Sequence, residues 1–369
     1  MTEAPIDQIE FRWDHEYDLG GIASSFGSDA EFRRWNDLLK PYARISAHGR
    51  PAAARAPSSA VYLTFRDDQA ALILRSLDPK ALRVESGPAR SAGADRLDLV
   101  ARALVGPKRL LTGEVAMRIA ASDPLHVFTP RPGQVGRGTP LNPLNFSYLD
   151  NRTTSGDELR RRAQRVHGLA PLIAAVLSEP ARPVTLVLPV DDIGSPLRES
   201  RALALLWASR RVLKLMLTDP DGLTTDGWRT SFSTCEAPLG GGDGRNEPAI
   251  TFRERGVDRP PLGDAPREVR PDDPLGEQST LSAAASLLAT AYQQYGDDCT
   301  KLVWQAVRDC RSLKEKIEAV VCSPQITSAI DAGTASIGQR APRRPSREQQ
   351  PAAQPPRPRQ APAPVQPPP

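Results

Sequence analysis

The chain has 369 residues, long enough for two domains with separate cores, and a formal net charge of only +4. Six arginines stand against the single acid Glu348 from Gln339 onward, so the rest is close to neutral and gives little electrostatic reason to expect nucleic acid or an anionic membrane as main partner. The opening Met1-Thr2-Glu3-Ala4 lacks a secretory pattern and no stretch is apolar for a bilayer's thickness, so a cytoplasmic protein is expected. Four cysteines, at 235, 299, 310 and 322, show no C-x-x-C spacing and no nearby histidine, which points to reduced thiols rather than metal or disulfide use.

Residues 1–8 precede any pattern and read as disordered. Residues 9–128 read as an α+β domain. Ile9 to Tyr17 has strand character, and Ser28-Asp29-Ala30-Glu31 is a capping box. It opens a helix with Phe32, Trp35, Leu39 and Tyr42 on one face. Val61 to Phe65 and Ala70 to Ser76 flank Arg66-Asp67-Asp68-Gln69 as a hairpin. Leu97, Leu99, Ala101, Ala103 and Val105 alternate along a strand that Gly106-Pro107 ends. Thr112 then caps a short helix bearing Val115, Met117 and Ile119.

Residues 129–152, with aperiodic prolines, glycines and asparagines, read as a linker. An α/β domain follows over 153–255. Ser155-Gly156-Asp157-Glu158 is a second capping box, for a helix carrying Leu159, Val166, Leu169, Ile173 and Val176 on one side. Val184 to Val190 is an apolar strand closed by Asp191-Asp192. Ser195-Pro196 then starts a helix that is apolar on nearly every side from Ala202 to Ala208 and therefore buried. Trp228 to Glu236 completes a βαβ unit with parallel strands. Ala249 to Arg253 is a further strand, expected antiparallel to it across the glycine-rich 239–246.

Residues 256–278 read as a second linker and 279–333 as a helical docking segment. Thr280 caps a helix striped with Leu281, Ala284, Leu287, Leu288, Ala291, Tyr292 and Tyr295. Asp298 caps a second helix with Val303, Val307, Cys310, Ile317, Val320 and Val321. Such a hairpin must bury its stripe on the body, on a second copy or on a partner. Residues 334–369 are Pro/Arg-rich, with eleven prolines in the last 28 positions, and read as disordered with polyproline II bias. The fold class is therefore mixed, α+β and α/β: two small mixed-sheet domains, a C-terminal amphipathic helical hairpin and a disordered Pro-rich tail.

Candidate chemistry is sparse. Asp191 and Asp192 follow the carboxyl end of a strand, where ligands bind in open α/β sheets, and can hold Mg²⁺ through water or simply cap the next helix. No G-x-x-x-x-G-K-[ST] phosphate loop accompanies them, and Gly133 to Thr139 is glycine-rich without a strand before it. On a strand, Asp14, Glu16 and Asp18 share a face opposite Trp13, His15 and Tyr17, as a cation site or as a solvated face. There is no G-x-S-x-G elbow, and the histidines are only His15, His48, His126 and His167. Cys235 has no histidine near it in sequence to lower its pKa. The run Arg160-Arg161-Arg162 can meet a phosphate or lie on an exposed first helical turn. No catalytic residue, cofactor or metal is assigned; were the chain an enzyme, Asp191, Asp192, Asp14 and Glu16 would be the candidates.

Phe11-Arg12-Trp13-Asp14-His15-Glu16-Tyr17, Arg102 to Thr112, and Trp207 on a leucine-rich helix before Trp228 to Glu236 together resemble the GTPase-associated accessory proteins of actinobacterial conflict systems. The resemblance covers about residues 9–255, and relatives in that family often carry tyrosine where Cys235 stands. It implies a non-enzymatic adaptor or scaffold in a signalling or defence assembly, with a small GTPase or other P-loop NTPase as protein partner and no membrane role. The alternative is a divergent metal-dependent phosphate-handling enzyme built on Asp191 and Asp192.

Overall fold

The structure is a computed structural model and describes residues 5–14, 18–43, 58–77, 99–122, 137–153, 156–189, 192, 197–218, 230–235, 248–255, 267–272, 275 and 279–339. The strands are β1 (Asp7–Asp14), β2 (Asp18–Ser24), β3 (Ser59–Thr64), β4 (Gln69–Leu77), β5 (Leu99–Pro107), β6 (Thr139–Pro140), β7 (Val184–Leu188), β8 (Phe232–Ser233), β9 (Ile250–Glu254) and β10 (Arg267–Val269). They form one mixed sheet in the order β10-β7-β9-β8-β3-β4-β5-β1-β2-β6. From β10 to β8 the strands are parallel, from β8 through β3 to β2 they alternate, and β6 runs parallel to β2.

The expected mixed α/β class is what the chain adopts. The two separate small sheets, however, are joined edge to edge: β8 of the second segment pairs with β3 of the first, Val61 opposite Ser233 and Tyr62 opposite Phe232. The cause lies in β3, whose alternate residues enter two cores. Val61 and Leu63 face one side and Ala60 and Tyr62 the other, all buried. A strand buried on both faces sits inside a sheet, not at its rim. The described residues up to Ile330 make one compact unit.

One strand pairing differs from expectation. β8 and β9 are parallel rather than antiparallel, and β9 lies between β7 and β8. Residues 234–249 separate them, more than the roughly dozen residues a parallel crossover requires, so the glycines there do not mark a hairpin. The hairpin β3–β4 does form, in the register that places Val61 opposite Ile73.

The helices are α1 (Asp29–Ala43), α2 (Gly113–Ala121), α3 (Phe146–Arg152), α4 (Gly156–Ala163), α5 (Leu169–Ser178), α6 (Arg201–Leu217), α7 (Thr280–Tyr295), α8 (Cys299–Val307), α9 (Leu313–Cys322) and α10 (Pro324–Gln339). Helix α1 covers one face of the antiparallel strands, setting Trp35, Leu39 and Tyr42 against Ile9, Phe11, Leu19 and Ile73. The larger core lies on the opposite face, around α6, which is buried along most of its length and packs against α2, α4, α5, α7, α8 and α9. Thr112 caps α2 as expected, its hydroxyl accepting from Val115 N at 3.2 Å.

Several boundaries move for local reasons. The helix expected across Leu159 to Val176 is two helices: α4 ends at Ala163, and Gly168, at φ +88, is the residue from which α5 starts. Helix α6 is capped by Ser200, while Ser195-Pro196 lies outside the described residues, as does Ser155. The described part of 129–152 contains β6 and α3, and Leu144 exchanges two backbone bonds with Ile6, at 2.9 and 2.8 Å. Helix α7 starts at Thr280 with Ser279 as its cap, and Asp298 makes no side-chain cap bond. The second helix of the expected hairpin is interrupted where Ser312 and Glu315 form a reciprocal capping box that opens α9. Helix α10 continues to Gln339, into the segment expected as tail; residues 340–369 lie outside the described set.

The stripe of 279–333 has its partner in the body. Ala284, Leu288, Tyr292, Val303, Val307 and Val320 join the larger core. Lys316, buried on α9, donates from Nζ to the carbonyls of Met216 (3.3 Å) and Thr218 (2.6 Å) at the end of α6, where an ammonium satisfies unpaired carbonyls and opposes the helix dipole. No helix among the described residues is long and apolar enough to cross a membrane.

Candidate functional site

The acidic candidates are dispersed. Asp192 follows β7, and its Oδ2 accepts from Arg201 Nη1 at 2.8 Å. Arg201 Nη2 also donates to Asp272 Oδ1 and to His167 O, each at 3.1 Å. Burial works against this guanidinium's charge, but its bonds to Asp192 and Asp272 outweigh burial and hold its pKa above the ordinary value. Because Arg201 opens α6, these contacts fasten the helix start to the segment after β10. Asp191 and Glu16 lie outside the described residues. Asp14 ends β1 opposite Asp18. Five strands stand between β1 and β7, about 29 Å at the usual inter-strand spacing, so Asp14 and Asp192 are not brought together. Among the described residues no three His, Cys, Asp or Glu side chains converge as metal ligands.

Cys235 belongs to a seam. Its carbonyl accepts from Arg75 and, at 3.0 Å, from Ser233 Oγ, while its side chain is buried. The fully buried Arg75 also reaches Ser59 Oγ (2.8 Å), Tyr42 O (3.2 Å) and Ser233 Oγ (3.5 Å). It thereby ties α1, β3, β4 and β8 together. The basic run on α4 is likewise engaged: Arg160 pairs with Asp157 and Asp297, and Arg162 with Glu158.

A cavity lies elsewhere, a cleft of about 560 Å³ between α1, β2 and the segment 137–140. Its floor is β2. Between Glu10 and Phe11 the pairing with β1 skips Ile22, so a bulge bends the strand. Gly20-Gly21 precede the bulge, and Gly21 is obligatory: a Cβ there would lie 2.9 Å from both Asn36 Oδ1 and Phe32 Cε2. That close approach lets Asn36 Oδ1 accept from Gly21 N at 2.8 Å. Helix α1 supplies one wall through Ser28, Phe32, Asn36 and Lys40, spaced four apart on one face. The opposite wall is Arg137 to Pro140, held to β2 by Gly138 N donating to Ile22 O at 2.7 Å.

Charge is unevenly placed along this cleft. Asp29 lies at its α1 N-terminal end, and Lys40 is eleven residues on, about 16 Å along the helix axis. Arg12 also lines the cleft and is paired with Gly20 across β1–β2, on the sheet face it shares with Glu10 and opposite Phe11. Its Nε donates to Glu10 Oε1 at 2.8 Å, and Glu10 is also bonded to Arg102 of β5, directly opposite. Both Glu10 and Arg102 are buried, so this pair braces the sheet beneath Arg12. No protein-family model and no curated protein matches this chain. The chemistry of the cleft is therefore argued from its own residues.

Sequence reasoning did not find this cleft. Two signals pointed to it: a glycine pair inside a strand, which marks a bulge or a close approach, and the i, i+4 stripe of α1 beside its apolar face. Arg137-Gly138-Thr139 was visible as glycine-rich but read as linker, since β6 is only two residues long.

Proposed function

We propose that the chain is a non-enzymatic adaptor in a signalling or defence assembly, working beside a small GTPase or another P-loop NTPase. The observation that carries the adaptor reading is Trp304. Its ring is 51% exposed on α8, and the Arg308 guanidinium lies 5.6 Å from the ring centroid. Tryptophan and arginine are among the residue types enriched where a few side chains dominate protein–protein affinity. The Pro/Arg-rich sequence after α10 supports the same reading, since polyproline-biased segments dock into aromatic-lined grooves at small ordering cost. The partner class rests on the family resemblance of residues 9–255.

Affinity capture from the native host, with bound proteins identified by mass spectrometry, tests this reading. A P-loop NTPase recovered with the full chain, and lost with Trp304→Ala or on deletion of residues 340–369, is the expected result. Equal recovery with all three forms would remove the adaptor assignment. Trp304→Ala leaves thermal stability nearly unchanged, because the side chain is largely in solvent.

A further inference from the structure

We propose that the small cavity between α2, α6 and the start of β8 binds one halide-sized anion, chloride in ordinary buffers, held by the Arg210 guanidinium. This inference is independent of the adaptor reading. Arg210 and Arg211 are neighbours on α6, yet only one of them is paired. Arg211 donates to Glu114 Oε1 at 2.9 Å, lies 3.5 Å from Asp297 Oδ2 and covers the Trp207 ring at 4.9 Å. Arg210 is mostly withdrawn from water, and among the described residues it has neither a hydrogen bond nor an ion pair. An arginine so placed is normally matched by an anion, because burying an unpaired charge is costly.

The groups around it do not supply that anion. Its electrostatic neighbours are Tyr62, Glu114 and Arg211. Glu114 is drawn to Arg211, itself a cation. Tyr62 gives its hydroxyl hydrogen to Leu111 O at 2.9 Å, and burial pushes its pKa up to about 12, so it carries no charge near neutral pH. Packing nevertheless places the guanidinium. Gly113 leaves room for it, since a Cβ there would lie 2.6 Å from Arg210 Nη1 and 3.4 Å from Tyr62 Cε1. The cavity that Arg210 lines has a volume of about 20 Å³, and among the described residues Arg210 is its only charged lining group. Met117, Leu213, Phe232 and Ile250 make most of its wall apolar, and Thr230 adds a hydroxyl to the lining. At roughly 10–15 Å³ for each water, the space takes one or two waters or a single halide, and it is too small for phosphate or a nucleotide. Apolar walls strengthen the attraction between such an ion and the guanidinium.

Two measurements on the full chain test the assignment: the NMR linewidth of chloride, and the thermal midpoint in chloride against gluconate at equal ionic strength. The expected results are chloride broadening that bromide reverses and gluconate does not, and a midpoint higher by about 2 °C when chloride stands at about ten times its dissociation constant. Arg210→Met should lose both effects, whereas Arg210→Lys, which keeps the charge, should retain a weaker bromide-reversible broadening. Because Arg210→Met removes an unpaired charge, its midpoint in gluconate should match or exceed that of the native chain. Three results would overturn the site. One is equal midpoints and no bromide-reversible broadening for the native chain, and another is broadening that persists in Arg210→Met. The third is a marked loss of stability by Arg210→Met in gluconate, which would mean that the guanidinium already has its partner within the protein.

Discussion

Replacing Arg75 with methionine asks whether one buried side chain holds the two strand sets as a single sheet. Methionine keeps most of the aliphatic stem and removes every donor. Of the groups Arg75 contacts, the hydroxyls of Ser59 and Ser233 can turn to other acceptors, and Ser233 Oγ already donates to Cys235 O at 3.0 Å. The carbonyls of Tyr42 and Cys235 each lose a charge-assisted bond, and such bonds contribute about 1.5–3 kcal/mol. Relief of the cost of burying a guanidinium offsets part of that, leaving a net loss of about 3 kcal/mol. For a body of this size the thermal midpoint should fall by about 4–6 °C. Urea unfolding of the full chain, followed by circular dichroism and by tryptophan fluorescence, measures it. Arg34→Met is the control, because its pair with Asp67 is exposed and contributes under about 1 kcal/mol. Hydrogen exchange should quicken at Thr234 and Ala60, which bond to each other across the seam, while amides between β1 and β5 keep their protection. Equal stability of the two variants, or quickened exchange in β1–β5 rather than at the seam, would refute the reasoning.

Three further outcomes are expected. Gly168→Ala forces a side chain onto φ +88 and sets its Cβ 2.2 Å from Pro271 Cβ, so chemical denaturation should show a loss of about 3 kcal/mol. Burial raises the pKa of Tyr62 from 10.0 and of Cys299 from 9.0, each to about 12. Above pH 9 the unfolded chain therefore loses these protons while the native state retains them, and stability falls by up to about 1.4 kcal/mol per pH unit per group as pH rises toward 12. The urea midpoint between pH 8 and pH 11 shows this slope, and Cys299→Ala should flatten it. Arg102→Met leaves Glu10 buried with Arg12 as its remaining bonded cation, so a loss of about 2–3 kcal/mol is expected, smaller when combined with Glu10→Gln; a double-mutant cycle with no coupling would contradict the pairing.

What could be read in advance was what is decided locally. Strand β5 alternates small and branched residues, Thr112 caps α2, and the β3–β4 hairpin has turn chemistry between two apolar runs. Each depends on residues within a few positions of one another. The joining of the sheets does not: it is made through β8, a strand of only two residues, and through Arg75, which meets Cys235 across 160 positions. Arg75 interrupts the apolar pattern of β4, so by sequence it resembles a solvated edge residue. The stripe of α7 to α9 was legible as a face needing cover. Which of three surfaces would cover it was not, because an apolar stripe carries no address. Gly168 lies in plain view inside the apolar stripe from Leu159 to Val176, and its positive φ, at the start of α5, falls where that stripe divides into two helices.

The placement of polar groups across the sheet separates support from recognition. At the carboxyl ends of the parallel strands, where open α/β sheets present ligands, the groups are bonded inward. Asp192 is held by Arg201, Leu188 O accepts from Arg255 N at 2.9 Å, and the carbonyl of Cys235 is held by Arg75. A ligand arriving there would have to displace bonds that fix the start of α6 and the seam. At the other end of the sheet the backbone is equally well satisfied, but by elements that stand apart and leave a gap: Asn36 from α1 on one side and Gly138 on the other. The bulge at Ile22 and the glycines before it bend β2 enough to open that gap. The buried Glu10 carboxylate is shared by Arg102 of β5 and Arg12 of β1, so it ties these strands together beside that gap. The β2 edge, already bonded to Asn36, Gly138 and β6, is closed to an added strand, which argues against a polypeptide laid along it.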